Sequence, residues 1–404
     1  GVQTCALPIL VTVEKALELV RKSIIPTNQK ESKSVLKALN QTLFEDVFSP
    51  INMPPFRQSA MDGYAVHLHD NLVYKVIDEV KAGDGHNPDL KPGEATRIFT
   101  GAAVPDSANA VVIQEKVLVN GNEIRVENQI KLNDNIRPLG EQVKLGDMAL
   151  KKGTKLTPAA IGFLSSLGIT DVSVYKKPSI ALIVTGNELM EAGKPLSYGK
   201  VYESNSGLLR SALLDLGFSN VSVHRVEDSY DKTLGLLDKA VEENDLIIIS
   251  GGISVGDYDF VGKALGELKV EEVFYKVKQK PGKPLFFGKK EDKIIFALPG
   301  NPASALTCFY IYVNCALQIM NGNTMHLSTK NKAKLTSSYN KKGERAEFLK
   351  AYYENGQVTI LEGQSSAMLQ TYALANSLVY LPLESVEINK NDDVTVITLP
   401  ILKG

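Results

Sequence analysis

Residues 250–302 bring together glycine turns, carboxylates and lysines in the segments SGGISVGDYD (250–259), KQKPGKP (278–284) and LPGNPASA (298–305). Two of the turns follow strongly apolar runs, DLIIIS and KIIFAL. A glycine turn at the carboxyl end of a strand is where open α/β sheets receive phosphorylated ligands. Ser250, Gly251 and Gly252, then Pro299, Gly300, Asn301 and Pro302, place bare backbone where an oxyanion can approach. Asp257 and Asp259 supply hard oxygen donors of the kind a divalent cation takes. Lys276, Lys280 and Lys283, spaced nearly alternately around Pro281-Gly282, offer charge to neutralise an oxyanion, although the same spacing describes the wet face of an edge strand.

Two more strand ends carry similar chemistry. Thr185-Gly186-Asn187-Glu188 follows SIALIVTG, and Asp228 follows VSVHRV. Three successive strand ends are thus expected to deliver Glu188, Asp228 and the Asp257/Asp259 pair to one rim of a sheet. Asn205-Ser206 opens the next helix as an N-cap whose amides can face an anion. Earlier in the chain, Asp62 in FRQSAMDGYAV, Thr100 in RIFTGAAVPDS and Arg137 in NIRPLGEQ stand out. Asp62-Gly63 also fits a hairpin turn and Thr100-Gly101 a bulge, while Arg137 suits a bidentate oxyanion clamp.

The elements that must position these residues are legible as changes of period. VTVEKALELVRKSI (12–25) has the spacing of an amphipathic helix. From 53 to 137, short runs such as LVYKVIDEV, EATRIF and EIRVENQI, broken by glycine, proline and Asx turns, predict a small inserted β domain. Residues 138–177, with a helix capped by Thr157-Pro158 and ended by Gly168, are expected to rejoin residues 10–52 as a mixed, dimerising domain. Alternating strands and helices over 178–325 predict a parallel sheet. Residues 326–404 predict a C-terminal β domain with hairpin turns at Glu354-Asn355-Gly356 and Lys390-Asn391-Asp392. The expected fold class is multidomain α/β plus β: a central doubly wound, mostly parallel α/β domain flanked by an N-terminal mixed region, a small β domain and a C-terminal β domain.

Composition narrows the chemistry. The chain has 404 residues, 44% hydrophobic and 23% charged, with a net charge of -1, which gives no general attraction to nucleic acid or membrane. Cys5, Cys308 and Cys315 form no CxxC pair, so disulfide and zinc frameworks are not expected and a reducing cytoplasm fits. Cys308 and Cys315 read as buried packing residues. Five scattered histidines give little support to a His-based metal site or a Ser-His-Asp triad. The apolar stretch 303–320 is interrupted by Thr307, Asn314 and Gln318 and reads as a buried or interface helix rather than a membrane span. The opening GVQTCALPI resembles a translated adapter remnant, so residues 1–9 read as a non-native extension.

The motifs SAMDGYAV, TGAAVP with VVIQE, NIRPLGE, LTPAAIGFLSSLGI, TGNEL, YESNSGLL, SGGISVGDYDFV, KPGKPLFFG and LPGNPASA occur in this order from about residue 12. Together they resemble the MoeA-type molybdopterin molybdenumtransferases, which are related to the gephyrin E domain. The resemblance implies insertion of molybdate into adenylylated molybdopterin with Mg²⁺-dependent release of AMP. It also implies an elongated homodimer whose cleft pairs Asp62 and Thr100 of one subunit with Glu188, Asp228 and Asp259 of the other. Lys276, Lys280, Pro299 and Pro302 match the family's active-site positions. Because molybdate is an oxyanion, the lysines, Arg137 and backbone N–H groups are assigned to it, and Glu188, Asp228 and Asp259 to Mg²⁺. Thr185, Gly186, Asp257 and the residues of the glycine turns are assigned to the pterin and AMP moieties. Two positions depart from the family: Gln142 stands where it commonly has an aspartate, and Lys350 where some members have arginine. The upstream adenylyltransferase is an expected partner. Alternative readings are a molybdopterin adenylyltransferase, a gephyrin-like scaffold, and a member that prefers tungstate.

Overall fold

The computed structural model describes residues 10–253, 260–323 and 330–400. Its contacts divide the chain into two units, Gly1–Glu31 with Tyr175–Gly404, and Ser32–Val174. Asp257, Asp259 and Cys5 lie outside the described residues.

In the first unit, helix α1 (Val13–Ser23) starts on a Thr12 cap whose side chain accepts from the Lys15 N–H. The alternation that follows is α/β: β1 (Ile180–Thr185), α2 (Asn205–Asp215), β2 (Val221–Val226), α3 (Tyr230–Glu243), β3 (Leu246–Ser250), α4 (Phe260–Glu267), β4 (Glu271–Tyr275), β5 (Phe286–Lys290) and β6 (Lys293–Leu298). The sheet order is β2-β1-β3-β6-β5-β4. β2, β1, β3 and β6 are parallel, as the alternation predicts; β5 pairs antiparallel with both β6 and β4, so the sheet is mixed.

The run IALIV in β1 is apolar at every position because both faces of the strand are covered. Ile180 and Leu182 join a core with Leu209 and Leu213 of α2, while Ala181 and Ile183 pack with Leu237, Ala240 and Val241 of α3 and Val261 and Leu265 of α4. α1 contributes Val13, Ala16, Leu17 and Val20 to the first of these cores. This corrects the expectation that residues 10–52 form one body with 138–177, because the apolar stripe of α1 is used up against the α/β core. Residues 32–52 do pack with the later segment: Val35, Ala38 and Leu43 share a core with Leu156, Leu164, Val172 and Val174.

β6 leads into α5 (Pro302–Cys308), a π turn over Phe309–Val313 and α6 (Asn314–Met320). This run is long and apolar enough to cross a membrane, but most of it is buried within the protein, where a core helix satisfies the same criteria. Cys308 and Cys315 are buried in it, and burial pushes the Cys308 thiol up to about 12.

The C-terminal strands are β7 (Lys330–Leu335), β8 (Ala346–Glu354), β9 (Gln357–Ile360), β10 (Ser377–Leu381) and β11 (Asp393–Thr398). They pair in the order β8-β9-β7-β11-β10, and β10 returns to pair with β8, which closes the sheet into a barrel. Asn355-Gly356 makes the expected two-residue turn between β8 and β9, both residues at positive φ. Lys390-Asn391-Asp392 does not make a hairpin. It joins Glu387–Ile388, which pairs with Tyr339–Asn340, to β11, which pairs with β7 and β10. Asn391 at φ 72 turns the chain between two different sheets.

The second unit contains a six-stranded mixed sheet in the order Ala110–Ile113, Gly63–Val66, Glu94–Ile98, Val73–Val80, Glu123–Val126, Val117–Asn120. The helix Pro158–Ser166 is capped by Thr157, and Gly168 follows it at φ 76, as its sequence predicts.

Candidate functional site

Strand register builds the site. Val184 pairs with Ser250, Thr185 with Val226 and Ser250 with Leu298, so all four parallel strands end on one rim. From β1 the chain crosses to β2 on one side and then to β3 on the other, which opens a crevice between Thr185 and Ser250. A cavity of about 640 Å³ lies there, lined by Thr185, Gly186, Glu188, Asp228, Ser250, Gly251, Gly252, Pro299, Gly300, Asn301 and Pro302 together with Tyr202, Glu203, Asn205 and apolar neighbours. That volume suits a nucleotide- or pterin-sized ligand.

Asp228 is held rather than loose. Its Oδ1 accepts from the Thr185 hydroxyl at 2.6 Å and its Oδ2 from the Asn187 N–H at 3.1 Å, while its own N–H donates to Asn187 Oδ1 at 3.0 Å. Each carboxylate oxygen keeps a further lone pair. The Glu188 side chain is exposed, and its carboxylate has no hydrogen bond or ion pair among the described residues. Gly251, at φ 91, cannot be replaced without cost, because a Cβ would fall 2.5 Å from the Thr185 carbonyl oxygen. Its N–H donates to the Leu298 carbonyl at 3.3 Å, so this amide is already committed to the sheet.

Asn205 does not cap α2; the cap position is Ser204, whose side chain makes no cap bond. Glu203 closes this helix end instead, accepting from the Ser206 N–H at 2.7 Å and from the Ser206 hydroxyl, and pairing with Arg225 at 3.0 Å. The expectation that the Asn205-Ser206 amides face an anion is corrected at Ser206, whose N–H a buried carboxylate occupies. Asn301 likewise makes no side-chain cap of α5, and donates to the Ser366 hydroxyl at 3.0 Å.

The lysines lie elsewhere. Among the described residues, the charged side chains lining the cavity are Glu188, Glu203 and Asp228, with no lysine or arginine. Lys280 belongs to the short strand Gln279–Lys280 added to β8, and pairs at 3.1 Å with Glu347, which is 1% exposed and also accepts from the Tyr339 hydroxyl at 2.9 Å. Lys276, at φ 68, sits 4.6 Å from the Tyr275 ring centroid, and Lys283 is exposed. Of the three only Lys280 is on a strand, so they do not form an edge strand's alternating face; the segment folds back on itself, with the Lys276 and Val277 N–H groups bonding to Leu285 and Lys283.

In the second unit, Asp62 Oδ1 accepts from the Thr100 N–H at 2.7 Å and from the Thr100 hydroxyl at 2.8 Å. First the backbone N–H and then the hydroxyl hold the Asp62 carboxyl below the usual carboxylate range. Asp62-Gly63 is not a hairpin turn. Gly63 opens a strand so close to its neighbour that a Cβ would meet the Val112 carbonyl oxygen at 1.9 Å. Arg137 is exposed on the short strand Ile136–Arg137, opposite Gln58.

Among the described residues no group of three or more His, Cys, Asp or Glu side chains converges on a point. Glu188 and Asp228 nevertheless fit Mg²⁺, which takes one or two carboxylates and completes its shell with water and substrate phosphates. Sequence reasoning missed Glu203 and Glu347. The acid immediately before a Ser-Asn-Ser helix start was the available signal for the first; nothing local marks the second.

Comparison with known proteins is consistent along the whole chain. Family models match residues 11–168 (MoeA N-terminal region, domains I and II), 181–318 (probable molybdopterin binding domain) and 332–399 (MoeA C-terminal region, domain IV). A molybdopterin molybdenumtransferase of Haemophilus influenzae is 34% identical over 401 residues, covering 96% of this chain and 98% of the relative. One from Staphylococcus aureus is 32% identical, covering 86% and 85%. The crystal structure of a molybdopterin biosynthesis moeA protein from Pyrococcus horikoshii OT3 superposes with a TM-score of 0.84 at 30% identity, covering 96% of this chain and all of that one.

Proposed function

This chain belongs to the MoeA family, and on that premise we propose that it is a transferase of molybdenum cofactor biosynthesis that inserts molybdate into adenylylated molybdopterin with release of AMP. One observation carries the reading of the site: four parallel strand ends meet at a cavity whose charged lining, among the described residues, is carboxylate alone. A phosphorylated ligand is repelled by Glu188 and Asp228 unless a cation comes with it. Glu188 and Asp228, with Asp259 as the expected third carboxylate, would hold Mg²⁺, which would supply that charge and polarise the phosphoanhydride.

The residues of this chain then have separate tasks. The turns at Ser250 and Pro299 bound the ligand, and the apolar residues beside them exclude water from its face. Asp228, fixed by Thr185 and Asn187, orients the water that attacks a phosphorus of the anhydride. One P–O bond forms, the bridging P–O bond breaks, AMP leaves, and molybdopterin keeps its own phosphate. The two dithiolene sulfurs bond to molybdenum while one molybdate oxygen departs with their protons as water. Molybdate is assigned to Lys276, Lys283 and Arg137, and to Lys280 once it exchanges Glu347 for the incoming anion. The enzyme works as a cytoplasmic homodimer in which Asp62 and Thr100 of one subunit serve the α/β pocket of the other, with the adenylyltransferase supplying the substrate; this part rests on the resemblance alone.

The deciding experiment incubates the purified protein with adenylylated molybdopterin, Mg²⁺ and either molybdate or tungstate, and measures AMP and metal-bound pterin. Oxyanion-dependent formation of both is expected, with loss of both on chelation of Mg²⁺. Absence of any oxyanion-dependent product rejects the proposal.

A further inference from the structure

Asn205, in the first turn of α2, reaches two strand ends that follow it by 45 and 95 residues. Its Nδ2 donates to the Ser250 hydroxyl oxygen at 2.8 Å and to the Gly300 carbonyl at 2.7 Å, which uses both of its protons. The residue is 8% exposed, and its Oδ1, also buried, has no hydrogen-bond partner among the described residues. An asparagine that served packing alone would be expected to satisfy its acceptor as well. Here the donor side is spent on two turns of the pocket.

We propose that Asn205 is a positioning residue that turns the Ser250 hydroxyl to donate toward a phosphate and weakens the Gly300 carbonyl as an acceptor beside it. A hydroxyl that accepts from an amide turns its own proton away from that amide, so Ser250, which lines the cavity, presents O–H to a ligand. The Gly300 carbonyl spends one of its two lone pairs on the same amide, so less of its negative end is turned on the anion. Phosphate oxygens accept and do not donate, so both effects favour binding. The need is specific to this pocket: Glu203 occupies the Ser206 N–H at the start of α2, and Gly251 N–H is bonded to Leu298, so fewer backbone donors remain. The inference deepens the proposed function and takes from it only the identity of the ligand.

The test is a fluorescence titration of adenylylated molybdopterin, with Mg²⁺ and without molybdate, on wild type, Asn205→Ala and Asn205→Asp, alongside thermal midpoints and steady-state kinetics. Kd and KM are expected to rise about 10- to 100-fold with kcat changed less, Asn205→Asp being the weaker binder because it adds charge and acceptors where donors stood. A Kd within about twofold of wild type in both variants overturns the proposal. If neither variant folds, Ser250→Ala decides: it removes the oriented hydroxyl and leaves Asn205 its Gly300 contact, and unchanged binding overturns the proposal equally. Because the titration reads binding without turnover, failure of wild type to release AMP would reject the reaction while leaving the role of Asn205 to be judged by Kd.

Discussion

Replacing Thr185 with valine tests whether the orientation of Asp228 matters to the reaction. Thr185 is the last residue of β1 and is buried, so a methyl group enters a space that already holds an oxygen of similar size. What disappears is a 2.6 Å bond to Asp228 Oδ1. A hydrogen bond to an ionised group contributes about 1.5 to 3 kcal/mol. Asp228 is half-buried and keeps the Asn187 N–H at 3.1 Å, and water can replace part of the loss, so the lower half of that range applies, about 1.5 to 2 kcal/mol. If the carboxylate must be held while water attacks, that energy appears in the barrier, and kcat/KM for molybdate-dependent AMP release falls roughly 10- to 30-fold. The double variant with Asp228→Asn separates this from a general disturbance. Once the carboxylate is gone the hydroxyl has little left to orient, and Thr185→Val should then cost far less than it does alone. Unchanged kcat/KM in Thr185→Val, or full additivity with Asp228→Asn, would refute the reasoning.

Other consequences follow from the same geometry. Gly251→Ala forces a side chain onto a positive-φ position and within 2.5 Å of the Thr185 carbonyl, so a stability loss of about 2 to 4 kcal/mol and loss of ligand binding are expected in denaturation and titration experiments; near-wild-type values would show that the turn relaxes freely. Thr100→Val removes a hydroxyl that lowers the Asp62 pKa, so carbon NMR titration should find this carboxyl closer to its ordinary range. The sign is that of a depressed acid: the contribution of Asp62 to stability is present above the ordinary carboxylate pKa and fades as pH falls through the lowered folded value, and the variant should lose that part of the acid-side dependence. Lys350→Met removes the bonds that the buried ammonium makes to the carbonyls of Gly363, Ser365 and Met368 at 2.7, 3.2 and 2.9 Å; Gly363 keeps the Thr371 hydroxyl and Ser365 the Met368 N–H, so the Met368 carbonyl bears most of the loss, and about 1 to 3 kcal/mol of stability should go, seen as a lower thermal midpoint, while an unchanged midpoint would mean that water replaces the ammonium.

Lys350 and Lys280 also illustrate what a linear reading misses. A lysine beside a glycine turn looks like an anion binder in sequence, yet Lys280 is paired with an acid 67 residues away; Lys350, inside β8, serves three carbonyls with its ammonium, and burial depresses its pKa. Nor do Lys276, Lys280 and Lys283 form the exposed alternating face that their spacing also allows, since the segment carrying them folds back on itself. Sequence placed Glu188 and Asp228 at one rim because a strand followed by a turn is a local pattern, and parallel strands with right-handed crossovers must end on one side. It did not show that Glu203 would close the helix start, because that depends on a side-chain rotamer and on Arg225 from the neighbouring strand.

The elements, their order and the family follow from the order of residues alone: unbroken apolar runs such as IALIV and LIIIS mean strands buried on both faces, Asn355-Gly356 means a tight hairpin, and each of these is written within a few residues. It took the folded chain to settle which charges are free, which helix belongs to which core, and that one asparagine ties together the Ser250 and Gly300 turns. Those outcomes depend on strand register and on partners distant in the chain, and a hydrogen bond or ion pair is set by angstroms of three-dimensional separation that no local period encodes.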